Sequence, residues 1–309
     1  MHTFDVTLRR KALAISKKAI VARRLKRLPT ILDKIGKRQP GMRLSRMQDI
    51  GGVHAIMNTV SQVYKLHKLY RQKGRFPHIL KGEHDYISFP KSSGYRGIHL
   101  VYEFYNSQGR GQRARDYDGL LVEVQLRTKL QHEWATAVET VGTVLGQDLK
   151  SGIGDADWLE LFRYISSLMA KIENQSIIKE HQHLSGRDLI LKANYLIDKL
   201  DFFNKIAGWL TGVRLINEGK GSSYNILSID TKEKKLSIVG FTDNKLDEAN
   251  RMLAQLEQDA ITKGAPEPVL VAAGDAVKLR KAYPNYFLDM QEFVVFVHTI
   301  VEIVREDNV

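Results

Sequence analysis

The chain has 309 residues and a mass of 35.2 kDa, enough for two ordinary domains, and 43% hydrophobic with 27% charged residues excludes a disordered chain. No run of about 18 uncharged apolar residues occurs and Met1 to Arg10 lacks the apolar segment of a signal peptide, so neither membrane spanning nor secretion is expected. The absence of cysteine excludes disulfides, thiolate zinc sites and thiol nucleophiles, and it suits a reducing cytoplasm, the expected compartment.

The net charge of +12 is unevenly placed. Residues 1–50 carry 14 Lys and Arg against three Asp, whereas Ile216 to Val309 carry 11 Lys and Arg against 15 Asp and Glu. A basic lobe therefore precedes an acidic one, and a polyanion such as a nucleoside triphosphate or an RNA backbone is one class of partner for the first. The plain alternative is a solvated helix face.

In chain order, apolar residues recur at helical spacing from Leu8 to Ile35, interrupted by Pro29, which predicts two helices. Val53 to Met57 reads as a short strand and Ser61 to Lys73 as an amphipathic helix ended by Gly74. Gly97 to Tyr105 and Leu120 to Thr128 are strand-like and expected to pair across the polar connection from Asn106 to Gly119. A helix is expected at His132 to Val144, and the Gly- and Asp-rich stretch Gly146 to Asp157 marks a boundary. Trp158, Leu161, Phe162, Ile165, Leu168, Met169 and Ile172 share one helical stripe, and Leu189 to Leu210 reads as a second long helix, giving a helical spacer. Tyr224 to Ile229 and Lys235 to Phe241 flank a polar turn and predict a β-hairpin. A helix at Lys245 to Ala260, a strand at Val269 to Ala273 and a helix at Met290 to Val304 complete a small α+β region.

Chemistry concentrates in two places. On the strand Leu120 to Thr128 the apolar Val122, Val124 and Leu126 alternate with the polar Glu123, Gln125 and Arg127, so one strand face carries a polar triplet. Upstream, His84 to His99 (HDYISFPKSSGYRGIH) is a basic loop punctuated by glycine and carrying aromatic rings and two histidines, chemistry able to cradle phosphate and stack a base. Taken singly, each residue also fits an ordinary surface turn or a solvent-facing strand edge.

The runs RLKRLPTILDK (24–34), MQDIGGV (47–53), DYI…PK…GYRGIH (85–99) and EVQLRT (123–128), followed by HEWA (132–135), resemble in order and spacing the RelA/SpoT-type alarmone synthetase domain over roughly residues 20–145. The resemblance implies an α/β (α+β) fold with a nucleotidyltransferase-like mixed sheet flanked by helices, here expected at 1–147. A helical spacer at 148–215 and a small, regulatory α+β domain at 216–309 would follow. It implies Mg²⁺ and ATP, and transfer of pyrophosphate to the 3′ hydroxyl of GDP or GTP. By resemblance Asp49 and Glu123 hold the metal, Glu123 either placing it or taking the proton of the acceptor hydroxyl. Arg24 matches an adenine-stacking arginine, and Arg27 and Lys34 would face the triphosphate. Tyr95 matches a guanine-stacking tyrosine, with Lys91 and His99 near the acceptor phosphates, and Gln125 and Arg127 complete the acceptor side.

Three positions depart from the family pattern. Ser93 stands where asparagine is common, His54 where an arginine completes the adenine sandwich, and His84 where a lysine precedes the Asp-Tyr-Ile run. Two fixed positive charges are thereby replaced by imidazole, which predicts weaker or more pH-sensitive ATP binding. The hydrolase domain of bifunctional members has no counterpart before the first motif, so alarmone hydrolysis is not expected. Two alternatives stand beside guanine-alarmone synthesis: a toxin-type enzyme acting on tRNA 3′ ends or adenine nucleotides, and a catalytically dead nucleotide- or RNA-binding module. Docking of the acidic segment on the basic lobe and oligomerisation are both compatible with the sequence.

Overall fold

The computed structural model describes residues 2–25, 31, 36, 46–48, 50–72, 76–105, 117–218, 222–230, 233, 235–263, 265, 268–272 and 291–306. The chain divides into two compact units, Met1–Lys91 with Tyr95–His132 and Ala170–Ser176, and Ser92–Gly94 with Glu133–Met169 and Ile177–Val309. No helix among the described residues is long and apolar enough to cross a membrane.

The first unit is built on a five-stranded mixed sheet of β1 (Ile20–Leu25), β2 (Gly51–Met57), β3 (Ile79–Asp85), β4 (Ile98–Glu103) and β5 (Leu121–Thr128), in the order β1-β2-β5-β4-β3. Only β2 and β5 run parallel, and the other neighbours are antiparallel. The predicted pairing of the strands at Ile98 and Leu121 is present, with His99 opposite Gln125 and Val101 opposite Glu123. Burial along β5 alternates without a fault, Val122, Val124, Leu126 and Thr128 inward.

That inward face is covered by α1 (His2–Ile15) and α2 (Val60–Arg71). Phe4, Leu8 and Ala12 recur every fourth residue and are fully buried against Val53, Ala55, Met57, Ile98, Leu100 and the β5 valines. Helix α2 starts at Thr59, whose hydroxyl accepts from the Gln62 amide, and buries Val63, Leu66 and Tyr70. The Lys11 ammonium donates to the Leu69 carbonyl (3.1 Å), near the end of α2, and lies 4.2 Å from the Tyr70 ring centre, which is how a lysine can be buried here.

The expected helix pair from Leu8 to Ile35 is overturned at its middle. After α1 the chain turns at Ser16 and Ile20–Leu25 becomes a strand antiparallel to β2. Pairing decides this, because β2 would otherwise expose one full edge of unpaired amides and carbonyls. Strand β3 was also hidden, its Gly82 and alternating charges giving little strand signal; it pairs with β4 and slips register between Leu80 and Gly82.

The second unit contains most of α3 (Lys129–Val144) and α4 (Ala156–Ile172), together with α5 (Gly186–Lys199), α6 (Phe202–Glu218) and α8 (Gln291–Glu306). The predicted stripe of α4 is buried from Trp158 to Met169, and its aromatic core joins Trp158 to Trp209 (centroids 5.5 Å) and Phe162 to Phe293 (6.1 Å). The single helix expected from Leu189 to Leu210 is instead two, parted at Leu200 and Asp201, the latter at φ +48°. A three-stranded antiparallel sheet, β7-β6-β8 (Lys235–Phe241, Tyr224–Asp230, Pro268–Ala272), contains the predicted hairpin, and α7 (Leu246–Lys263) packs on it around Ile226, Phe241 and Ala249.

His78 lies in the first unit's core, stacked on Phe4 at 4.4 Å and touching Phe76 and Phe104. Its Nδ1 accepts from the Tyr105 amide (3.2 Å), while buried Nε2 meets no hydrogen-bond partner among the described residues. Burial lowers its pKa below the ordinary 6.5, with the hydrogen bond from the Tyr105 amide opposing that shift. The folded state thus favours neutral His78, so its contribution is complete above the unfolded pKa and is lost as pH falls through and below that value. In denaturant titrations between pH 8 and pH 5, His78→Phe should flatten the acid loss of stability relative to the parent; an identical slope for both proteins would refute this role.

Candidate active site

The polar face of the sheet is set by register. Gly52 pairs with both Arg24 and Glu123, so Arg24, Gly52, Glu123, and Val101 beyond, fall in one row across β1, β2, β5 and β4. The next row runs through Ala22, His54, Gln125, His99 and His84. Strand alternation therefore gathers these positions, far apart in sequence, onto one sheet face.

Glu123 is the end point of two hydrogen-bond chains. His99 Nδ1 lies 2.7 Å from Glu123 Oε1 and His99 Nε2 lies 2.7 Å from the Tyr95 hydroxyl. An ionised carboxylate only accepts, so Nδ1 carries the proton and Nε2 accepts from the Tyr95 O–H. On the other side Gln125 Nε2 donates to Glu123 Oε2 at 2.6 Å, and Arg127 donates to Gln125 Oε1. Burial holds the His99 pKa below its ordinary value, with Glu123 opposing that shift and Arg127 and Lys91 adding to it. A neutral, singly protonated imidazole thus orients the carboxylate, which accepts hydrogen bonds from both flanks.

Aromatic rings and cations surround this axis. Tyr86 and Tyr95 both meet His99 edge to face (5.3 and 5.5 Å), Lys91 lies 4.5 Å from the Tyr86 ring centre, and the Arg127 guanidinium lies 5.6 Å from that of Tyr95. Tyr95 is only 4% exposed, so its ring forms the inner wall of the site, while half-exposed Tyr86 carries His84 stacked on it at 5.5 Å and 7°. His54 stacks on His132, from the start of α3, at 5.9 Å.

The loop between β3 and β4 is held from beneath. Asp85 accepts the amides of Ile87 and Ser88, and its other oxygen is bonded by Tyr64 and Ser88. Arg96 is buried, donates to the Ile87 and Ser176 carbonyls, and has its pKa drawn down to about 10 by burial despite nearby Glu173. Asp85, Tyr86 and His132 lie in the motif runs quoted above but were given no role there. The Asp-x-x-Ser spacing was the available signal for the Asp85 turn, whereas the His54–His132 contact joins residues 78 positions apart and leaves no local trace.

The structure therefore brings together Tyr95, His99, Glu123, Gln125, Arg127 and Lys91, with His54 one strand away. Ser93 lies at the half-buried tip Ser92–Gly94, in the second unit. Arg24 is known by its register alone, and Arg27, Lys34 and Asp49 lie outside the described residues. Among the described residues no three His, Asp or Glu side chains converge as a metal site. Glu123 nevertheless supplies the hard oxygen donor that suits a cation keeping phosphate and water ligands, and His99 and Gln125 fix its two oxygens in place.

Residues 23–141 match the RelA_SpoT family model, described as a region found in RelA / SpoT proteins. The chain is 26% identical over 159 residues to GTP pyrophosphokinase YwaC of Bacillus subtilis, covering 49% of this chain and 72% of that protein. It is 30% identical over 117 residues to GTP pyrophosphokinase YjbM of the same organism, covering 38% of this chain and 52% of that protein, about half its length. Among solved structures it is similar to the small alarmone synthetase 1 of Bacillus subtilis bound to its product pppGpp, with 22% identity and a TM-score of 0.45 over 56% of this chain and 87% of that one.

Gly97, at φ +148°, enters β4 where an added Cβ would meet Arg127 Cγ at 3.1 Å. Gly97→Ala should cost about 1–3 kcal/mol of stability through backbone strain and displaced Arg127. Chemical denaturation measures this, and a loss below a few tenths of a kcal/mol would contradict the geometry described here.

Proposed function

We propose that the chain, carrying a RelA/SpoT-type region over residues 23–141, transfers pyrophosphate from ATP to the 3′ hydroxyl of GDP or GTP and so makes (p)ppGpp. The observation that carries this reading is Glu123, a half-buried carboxylate on the polar face of β5, fixed by His99 on one oxygen and Gln125 on the other, on a strand face shared with aromatic rings and cations. The names of the two Bacillus subtilis relatives support the same chemistry.

In this reading the acceptor lies along β4 and β5. Lys91 and Arg127 neutralise its phosphates, and Tyr86 and Tyr95 wall its base. Glu123 accepts the proton of the 3′ hydroxyl as the oxygen attacks the β-phosphorus and AMP departs. His99 holds Glu123 in place through the Nδ1 hydrogen bond. On the donor side Arg24 and His54 take the adenine, and Arg27 and Lys34 the triphosphate. Asp49 and Glu123 would hold Mg²⁺, which supplies neutralisation of crowded phosphate charge.

The deciding assay offers Mg²⁺ and ATP labelled in its terminal phosphates with GDP, GTP, ATP or bulk tRNA separately. Label should move to GDP or GTP; label on tRNA or ATP alone would replace this substrate assignment, and none on any acceptor would end the enzymatic reading. Glu123→Gln should lower the rate by about 10²–10⁴-fold with nucleotide binding retained. Restoring a fixed cation by His54→Arg should contribute about 1 kcal/mol to adenine stacking, roughly a fivefold lower KM for ATP, and an unchanged or higher KM would count against His54 as an adenine contact.

A further inference from the structure

Resting on the reading above, we propose that helix α4, outside the family-matched region, is the positioning element of the acceptor loop, acting through Arg163 and Ser166. The loop from Lys91 to Tyr95 closes on itself by the Lys91 amide donating to the Tyr95 carbonyl at 3.3 Å. Its tip is tethered twice. Arg163 Nε donates to the Ser92 carbonyl at 2.9 Å, and Ser166 Oγ donates to the Gly94 carbonyl at 2.6 Å. Ser93, the acceptor-side residue, is thus the single residue between two anchored carbonyls.

The approach of tip to helix is close enough to dictate sequence. Gly94 has φ +90°, and a Cβ there would lie 2.9 Å from Ser166 Cβ and 3.1 Å from Trp134 Cζ2. Ser166 is 1% exposed, so a hydroxyl at this depth needs its partner, and the Gly94 carbonyl supplies it.

Arg163 is itself preorganised. Its NH1 donates to Glu160 at 2.8 Å and its NH2 lies 3.7 Å from Glu180. Glu160 is in turn 3.3 Å from His181 Nε2, and that buried ring meets Ser167 at 3.0 Å and stacks on Tyr164 at 4.6 Å. The arginine therefore reaches Ser92 without first surrendering rotamer freedom, and the loop is spared an ordering cost when an acceptor binds. Lys91 and Tyr95 are covalent neighbours of the tethered tip, so loss of either tether should weaken acceptor binding while sparing the donor. Arg163 and Ser166 touch no substrate in this scheme; they are positioning residues.

The test uses the full chain with ATP and GDP or GTP varied independently. Arg163→Ala and Ser166→Ala should each raise the acceptor KM about tenfold, the loss of one well-made bond, with the KM for ATP unchanged, and Arg163→Lys should recover part of the effect. Unchanged acceptor KM in both variants, or equal rises in both KM values, would overturn the proposal. Amide hydrogen exchange at Ser92 to Tyr95 is read in parallel and should quicken in both alanine variants; unaltered exchange would also overturn it. If the parent protein transfers no label to a guanine nucleotide, the functional reading fails, and the exchange result still decides whether α4 orders the loop.

Discussion

A half-buried carboxylate on a central strand is costly unless its oxygens are answered, and Glu123 is answered from both sides. The residue sits on β5, between β2 and β4, so the supporting groups must come from its own strand and a neighbour: Gln125 and Arg127 along β5, His99 from β4, and Tyr95 from the loop that enters β4. His99 is held in turn by Tyr95 and Gln125 by Arg127, which makes the group a network rather than a set of independent contacts. The hydrophobic side of the same strands, packed by α1 and α2, fixes the twist and register on which those distances depend.

The tautomer of His99 follows from this arrangement. Burial lowers its proton affinity, and an acceptor-only carboxylate at Nδ1 with a hydroxyl at Nε2 leaves one consistent proton placement. Tyr95 therefore serves as donor to the ring that orients Glu123, in addition to forming a wall, and is buried in doing so.

Much of this was legible in the chain itself. The alternation from Val122 to Arg127 specifies both the strand and its polar face, because a period of two has one reading when apolar and polar residues strictly trade places. The helical spacing through Leu8 and Ala12 was equally true for α1 but carried the helix too far, since Ile20–Leu25 takes its form from β2 rather than from its own pattern. Leu189 to Leu210 kept helical spacing across a break that two residues, Leu200 and Asp201, impose. Within the site the residue types were readable and the wiring was not: nothing in a sequence says that Gln125 bridges Arg127 to Glu123, or that α4 supplies the bonds to Ser92 and Gly94.

The slipped register of β3 has a bearing beyond the site. Strand β3 is the outermost on its side of the sheet, and its register with β4 shifts between Leu80 and Gly82, with Lys81 standing at the shift and paired to Glu103 at 3.1 Å. An intruding segment would find no unbroken ladder to copy there and would have to approach a lysine already committed to its own carboxylate. This margin of the sheet is thereby guarded against edge-to-edge aggregation.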